Sequence, residues 1–300
     1  MQPLKEIAKR TFPGAYSRYV RWQHTRVPLA ERVRPVLQSP ETPQYHDSDF
    51  DRLQNRYSKW WDEYEFDSHS TWMRGYQRSL HLVSMPELRH QGLSVFEAGC
   101  GDGMTGCTLA SYGHRVLLND EEDWRDPRAK HLPFVQGDVC GQLPLPADSF
   151  DLLVSYNTFE HVTNPRSALS ELVRLCKKGG RIYLEFAPLF CSPLGLHAWS
   201  FLMPYPQFLF SSEFIAQKIQ EIGVSDLGQV FRQLQPTNRW RVGQFRELWH
   251  DSGCELLYLH EPRDFRHLQT VMDFPSAFCG RELTVEDLTV TAVGVMLRKR

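Results

Sequence analysis

The sequence predicts an α/β fold with a doubly wound, mostly parallel sheet. Short apolar runs alternate with helical patterns between about residues 93 and 186. Such alternation packs helices on both faces of a parallel sheet. A glycine-rich turn, Gly99-Cys-Gly-Asp-Gly103, follows the first run, where a strand passes into a helix. A strongly signalled helix then precedes the last run.

The elements follow in order. Leu93–Glu97 is a buried strand ending in glycines, and Met104–Tyr112 is a helix stopped by Gly113. Arg115–Asn119, Pro133–Gln136 and Phe150–Ser155 are the second, third and fourth strands. Asn164 suits a helix N-cap and Pro165 the first helical position. Ala168, Leu169, Leu172, Val173 and Cys176 keep helical spacing, with Lys177 and Lys178 near the end and Gly179 beyond. Arg181–Phe186 is the fifth strand. A ligand in such a sheet sits beyond the carboxyl ends of the strands. The loops after residues 97, 119, 136, 155 and 186 are therefore the ones to inspect.

Composition narrows the function class. The 300 residues are 41% hydrophobic and 23% charged, enough to bury a core. A net charge of −2 argues against a uniformly basic nucleic-acid binder, and nucleic acid is not an expected partner. No run approaches the ~20 apolar residues of a spanning helix. The first twenty residues lack the apolar run of a signal peptide. Seven scattered cysteines without a C-x-x-C pair read as reduced thiols of a cytoplasmic protein, and no metal-ligand cluster stands out. Residues 1–34 hold eight basic and two acidic side chains, a surplus of +6, which leaves −8 on the remainder. That arm is either a solvated helix face or a contact for a partner subunit, an anionic lipid or a pyrophosphate-bearing substrate. The oligomeric state stays open.

The strongest motif is Glu97-x-Gly99-x-Gly101-x-Gly103 at a strand–helix turn. Gly113-His-Arg-Val-Leu-Leu-Asn-Asp120 follows, then Gly137-Asp138, then Phe150-Asp151 through Ser155 with Glu160-His161 beyond. In this order and spacing the chain resembles the class I S-adenosylmethionine-dependent methyltransferases, and among them the small-molecule type 11 branch. The resemblance covers roughly residues 91–186, with a return near 240–298. It implies a Rossmann-like sheet of seven strands and S-adenosylmethionine as cofactor. It implies that Glu97, Gly99, Gly101 and Gly103 wrap the methionine part, with Cys100 and Asn157 also in the cofactor site. Asp120 would accept the ribose hydroxyls, Asp138 would meet the adenine amino group and Val139 would flank the ring. Taken singly, Asp120 is also an ordinary strand-end residue and Asp138 a turn former. The (N/D)-P-P-(Y/F) signature of base and glutamine methylation is absent at 155–161, which disfavours those substrates.

Methyl transfer is an in-line displacement, so much of the catalysis comes from alignment. A hydroxyl acceptor also needs a base of near-neutral pKa, which favours histidine. His197 and His161 are the candidates, with Glu160 as a helix-terminal charge or an orienter of histidine. The alternatives are that His161 organises its loop and that His197 belongs to an aromatic cluster.

Residues 187–240 read as an aromatic, proline-rich lid inserted into the core. Its stretch from Pro188 to His197 is similar to bacterial methyltransferases of glycan or secondary-metabolite synthesis. Such a lid suits a partly apolar substrate or stacked sugar rings, and also peripheral contact with a bilayer. Trp60, Trp61 and Trp72 are either core packing or one wall of the substrate pocket. Residues 1–90 form the basic arm and helical cap, 91–186 the cofactor-binding core, and 241–300 the rest of the sheet, with a helix at 242–250 and strands at 254–260 and 288–297. The expected activity is O-methylation of a small molecule or glycan. The alternatives are N- or C-methylation of a quinone- or lipid-like metabolite, and a non-catalytic S-adenosylmethionine-binding sensor or scaffold.

Overall fold

A computed structural model describes residues 28–61, 67–85, 92–226 and 229–300. Most of the basic arm lies outside the described residues. Arg32 and Arg34 fall on a helix, α1, over residues 28–38. Next come α2 (Phe50–Arg56) and α3 (Ser68–Ser84). Asp67 caps α3 by accepting from the amides of His69 and Ser70 at 2.8 and 3.1 Å.

The central sheet is built from β1 (Ser94–Ala98), β2 (Arg115–Asp120), β3 (Phe134–Gln136), β4 (Phe150–Tyr156) and β5 (Cys176–Phe186). A hairpin of β6 (Val224–Asp226) and β7 (Gln229–Phe231) stands apart from it, and β8 (Glu255–His260) and β9 (Val293–Arg298) complete it. The order is β3-β2-β1-β4-β5-β9-β8. The first five strands are mutually parallel, and β9 runs antiparallel between β5 and β8. This is the seven-stranded, mostly parallel sheet that the sequence predicts. Its switch point falls between β1 and β4, where ligands bind in such sheets.

The strands are apolar on both faces because helices cover both. One face packs Phe96, Leu153 and Leu184 under α5 (Pro165–Leu175) and α8 (Val242–Asp251). The other packs Val95, Leu118 and Tyr183 under α3 and α4 (Met104–Ser111). Among the described residues no helix is long and apolar enough to cross a membrane.

Two boundaries differ from the sequence reading. The helix that starts at Pro165 stops at Leu175, and Lys177 and Lys178 lie on β5. Lys177 Nζ bonds Asp151 at 2.8 Å, a contact across the β4–β5 pair that replaces a helical end. The last strand starts at Val293, not near 288, because α11 (Val285–Thr289) intervenes. There Thr284 and Asp287 form a reciprocal capping box, a local signal that outweighs the β propensity of the run.

The insertion is more than a flap. With α6 (Pro206–Leu209) and α7 (Ser212–Ile222) it encloses a second core, containing Phe201, Tyr205 and Phe210. This core also takes Val33 and Leu53 from the N-terminal helices, and Phe274 and Phe278 from α9 (Gln269–Asp273) and α10 (Pro275–Phe278) or their caps. Three distant stretches of chain therefore bury their apolar faces together, which fixes the insertion on the sheet.

Candidate functional site

The glycine loop is shaped by its backbone. Gly99, Gly101 and Gly103 have φ of +62°, +52° and +70°, where a side chain is strained. A Cβ on Gly99 would lie 2.3 Å from the Thr158 hydroxyl, so the loop presses against the chain after β4. A Cβ on Gly101 would meet nothing within 4 Å, so that position faces open space.

Asp120 ties this loop to β2. Its Oδ2 accepts from the Gly101 amide and its Oδ1 from the Glu121 amide, both at 2.8 Å. The Glu122 amide also approaches this carboxylate, which still has acceptor capacity beyond its backbone contacts. Burial raises the pKa of Asp120. Asp138, exposed after β3, uses Oδ1 to accept from the Cys140 amide at 2.7 Å. Val139 is buried beside it. Asn157 lies just past β4 in the left-handed region, and its amide donates to the Glu185 carbonyl. The Cys100 side chain is buried, which raises its thiol pKa.

Glu97 is placed differently. It is 2% exposed, and its Oε2 accepts from the Gly106 amide at 2.7 Å. The carboxylate thus anchors α4 under the loop. Burial, then the Asp102 charge, pushes its pKa up to about 8.

Three residues have organising roles that the sequence reading did not assign, although Ser155 stood in one of its motifs. The Asn119 side-chain amide donates to the carbonyls of Val135 and Gly137, at 3.0 and 2.9 Å, which joins β2 to the turn before Asp138. The Ser155 hydroxyl donates to the Ala98 carbonyl at 2.8 Å, which joins β4 to the glycine loop. Thr158 supplies the wall against Gly99. Two polar residues at buried strand ends were the available signal.

A second group lies at the edge of the insertion. Glu160 is 3% exposed. Its Oε1 lies 3.9 Å from His161 Nε2. Burial pushes the Glu160 pKa up to about 8. His161 Nδ1 lies 2.7 Å from the Pro236 carbonyl. A carbonyl only accepts, so Nδ1 carries the proton and Nε2 the basic lone pair. The His161 and His197 rings meet edge to face, centroids 4.9 Å apart. His197 Nε2 donates to the Pro188 carbonyl at 3.0 Å. Burial, then His161, lowers the His197 pKa to about 4. The end of the insertion fixes this loop through Asn238, whose side chain donates to the Phe159 carbonyl at 2.7 Å. Half-exposed Trp199 continues the row from His197 at 6.0 Å, and Trp61 from Trp199 at 6.2 Å. Trp72 lies on the outer face of α3, stacked on Tyr76.

The carboxyl of Glu160 gives a stability prediction. Its folded pKa, about 8, exceeds the ordinary glutamate value of 4.5. Between those values the folded chain binds more protons than the unfolded chain, so stability falls as pH rises across that window. Glu160→Gln should flatten this slope and stabilise the protein at pH 9 relative to wild type, read by urea denaturation. An unchanged slope would mean that Glu160 is ionised throughout.

The candidate cofactor residues have the chemistry that an adenosyl ligand needs. Gly101 is open where backbone must approach, and the Asp120 carboxylate keeps acceptor capacity beside it. Residues 96–184 match the family model described as a methyltransferase domain. The chain is 28% identical over 114 residues to the sterol 24-C-methyltransferase of Pneumocystis carinii, covering 34% of this chain and 30% of that one. It is 31% identical over 115 residues to the tRNA 5-carboxymethoxyuridine methyltransferase of Escherichia coli, covering 34% and 43%. It is 28% identical over 161 residues to the ubiquinone biosynthesis O-methyltransferase of Xanthomonas oryzae pv. oryzae, covering 49% and 63%. The chain thus spans less than two thirds of the length of each of these relatives. Their names point to unlike acceptors. Motif order, sheet topology and the family match together identify a class I S-adenosylmethionine-dependent methyltransferase domain, with S-adenosylmethionine as its cofactor.

Proposed function

We propose that this protein is an O-methyltransferase of a small molecule or glycan, with His161 as the base that takes the acceptor proton. The arrangement at His161 carries this reading. Its side chain is 22% exposed, its tautomer is fixed by Pro236, and the buried Glu160 carboxyl lies 3.9 Å from its Nε2. His197 was the other candidate base, but it is 6% exposed. It suits a positioning role, holding the His161 ring plane while itself held by Pro188.

When bound, S-adenosylmethionine supplies a methyl group on a sulfonium. Asp120 and Asp138 would hold the ribose and adenine, and Gly101 would let backbone approach the amino-acid end. Cys100, Glu97 and Asn157 would support that loop from beneath and beside. His161 Nε2 would accept the hydroxyl proton, and the imidazolium so formed would favour ionised Glu160 at its side. Excluding water from this edge strengthens that charge pairing. Trp199 and Trp61 offer ring faces for an apolar or sugar acceptor. Seven free thiols accord with a reducing, cytoplasmic setting.

The test uses His161→Gln with methyl-labelled S-adenosylmethionine and fractions of hydroxyl-bearing metabolites and glycans. The variant should bind S-adenosylhomocysteine like wild type and turn over ~100-fold more slowly or worse, the usual loss for a general base. Full turnover would remove His161 as base. A label on nitrogen or carbon in the product would replace O-methylation. Cofactor binding without any product from wild type would favour a sensor or scaffold.

A further inference from the structure

Helix α3 carries Arg74, Arg78 and His81 at i, i+4 and i+7, hence on one face. Each engages a different strand of the sheet or its loop. Arg74 Nη2 pairs with Asp102 Oδ2 at 3.1 Å, inside the glycine loop. The Arg78 guanidinium lies 4.8 Å from the ring centre of Tyr156, the last residue of β4. His81 Nε2 meets the Tyr183 hydroxyl of β5 at 3.1 Å, and Tyr183 in turn donates to Glu185.

The helix is seated closely enough to transmit position. A Cβ on Gly75 would lie 2.5 Å from the Met104 carbonyl oxygen, so only glycine lets α3 lie this near α4. The buried Ser79 hydroxyl donates to the Thr105 carbonyl at 3.1 Å. Both contacts fall on the first turn of α4, which leads directly out of the glycine loop.

Asp102 connects these facts. Its Oδ1 accepts from the Met104 amide at 2.9 Å and closes the first turn of α4. Its carbonyl accepts from the Asp126 amide at 2.9 Å. Arg74 holds the remaining oxygen. The Arg74 and Asp102 side chains are 15% and 24% exposed, so solvent screens the pair less than a surface one.

We propose that Arg74 is a positioning residue for the cofactor loop. Acting through Asp102, docked α3 sets the path of Gly99–Gly103, and cofactor binding and α3 docking strengthen each other. This coupling must be reciprocal. It rests on the cofactor reading above and assigns a role to a helix outside every cofactor motif.

A double-mutant cycle on the full chain tests it, with S-adenosylhomocysteine as the calorimetric probe. Arg74→Met should weaken binding roughly tenfold, within the range usual for coupled sites. Asp102→Asn should weaken it similarly, and the double variant no further, because both remove one interaction. Gly75→Ala, which lifts α3 without touching charge, should move affinity in the same direction. Amide exchange over 68–84 should slow when the probe binds wild type, and much less in Arg74→Met. Wild-type affinity in Arg74→Met would overturn the inference. So would an Arg74→Met loss that persists in full in the Asp102→Asn background, since Arg74 would then touch the ligand itself. A wild-type chain that fails to bind the probe would instead overturn the cofactor reading beneath it.

Discussion

Replacing Asp120 by alanine should weaken S-adenosylhomocysteine binding by about a hundredfold or more. The carboxylate already accepts backbone amides on both oxygens and keeps further acceptor capacity. Charge-assisted hydrogen bonds contribute ~1.5–3 kcal/mol each, so losing two to a diol removes ~3 kcal/mol or more. Every ~1.4 kcal/mol is a factor of ten in affinity. The variant also frees the Gly101 amide, so the loop loses its tie to β2. Asp120→Asn keeps one acceptor and the side-chain shape, and should fall between. Burial raises the pKa of Asp120. Wild-type affinity should therefore begin to fall at a higher pH than for an exposed aspartate, as the carboxylate protonates. Asp120→Asn should lose that pH dependence. Calorimetry across pH measures both, and unchanged affinity in Asp120→Ala would remove the ribose assignment.

Gly99→Ala and Gly101→Ala should separate folding from binding. Both glycines are left-handed, where an alanine costs ~1–2 kcal/mol. At Gly99 the added Cβ also lies 2.3 Å from the Thr158 hydroxyl and 2.5 Å from its methyl. The chain after β4 must move, so the total loss of stability should exceed ~3 kcal/mol, the conformational cost plus overpacking. Thr158→Ala in the same chain should recover part of it, since the two residues share one contact. At Gly101 the Cβ meets nothing, so stability should fall only by the conformational cost. It would, however, occupy the space through which backbone approaches the cofactor, and affinity should fall further than stability. Denaturant unfolding and probe affinity, measured on the same samples, distinguish the two. Equal effects at both positions would deny the loop its two-sided character.

The glycine loop was legible because its signal is local. Three glycines at fixed spacing between an apolar run and a helix imply both a backbone path and a ligand. Asp120 and Asp138 were singled out on equally local signals, Asp120 ending β2 and Asp138 standing in the turn after β3. Glu97 shows where such reading stops. Spacing placed it in the cofactor motif, yet its carboxylate turns inward to Gly106, a distinction of side-chain direction and burial. The insertion reads similarly. Its rings were visible, but Val33, Leu53 and Phe278, which complete its core, lie far away in sequence.

The order of strands and helices, the turn chemistry of the glycine loop and the strand-end carboxylates follow from the sequence itself. Each depends on residues within a few positions of one another. The proposed preference for His161 over His197 rests on the tertiary structure. Both are single histidines in loops, and only burial and the Pro236 and Pro188 carbonyls distinguish them. The same holds for α3, whose amphipathic pattern announces a helix but not which face meets the glycine loop. Desolvation and long-range pairing depend on where distant segments come together, and a one-dimensional pattern carries no distance between them.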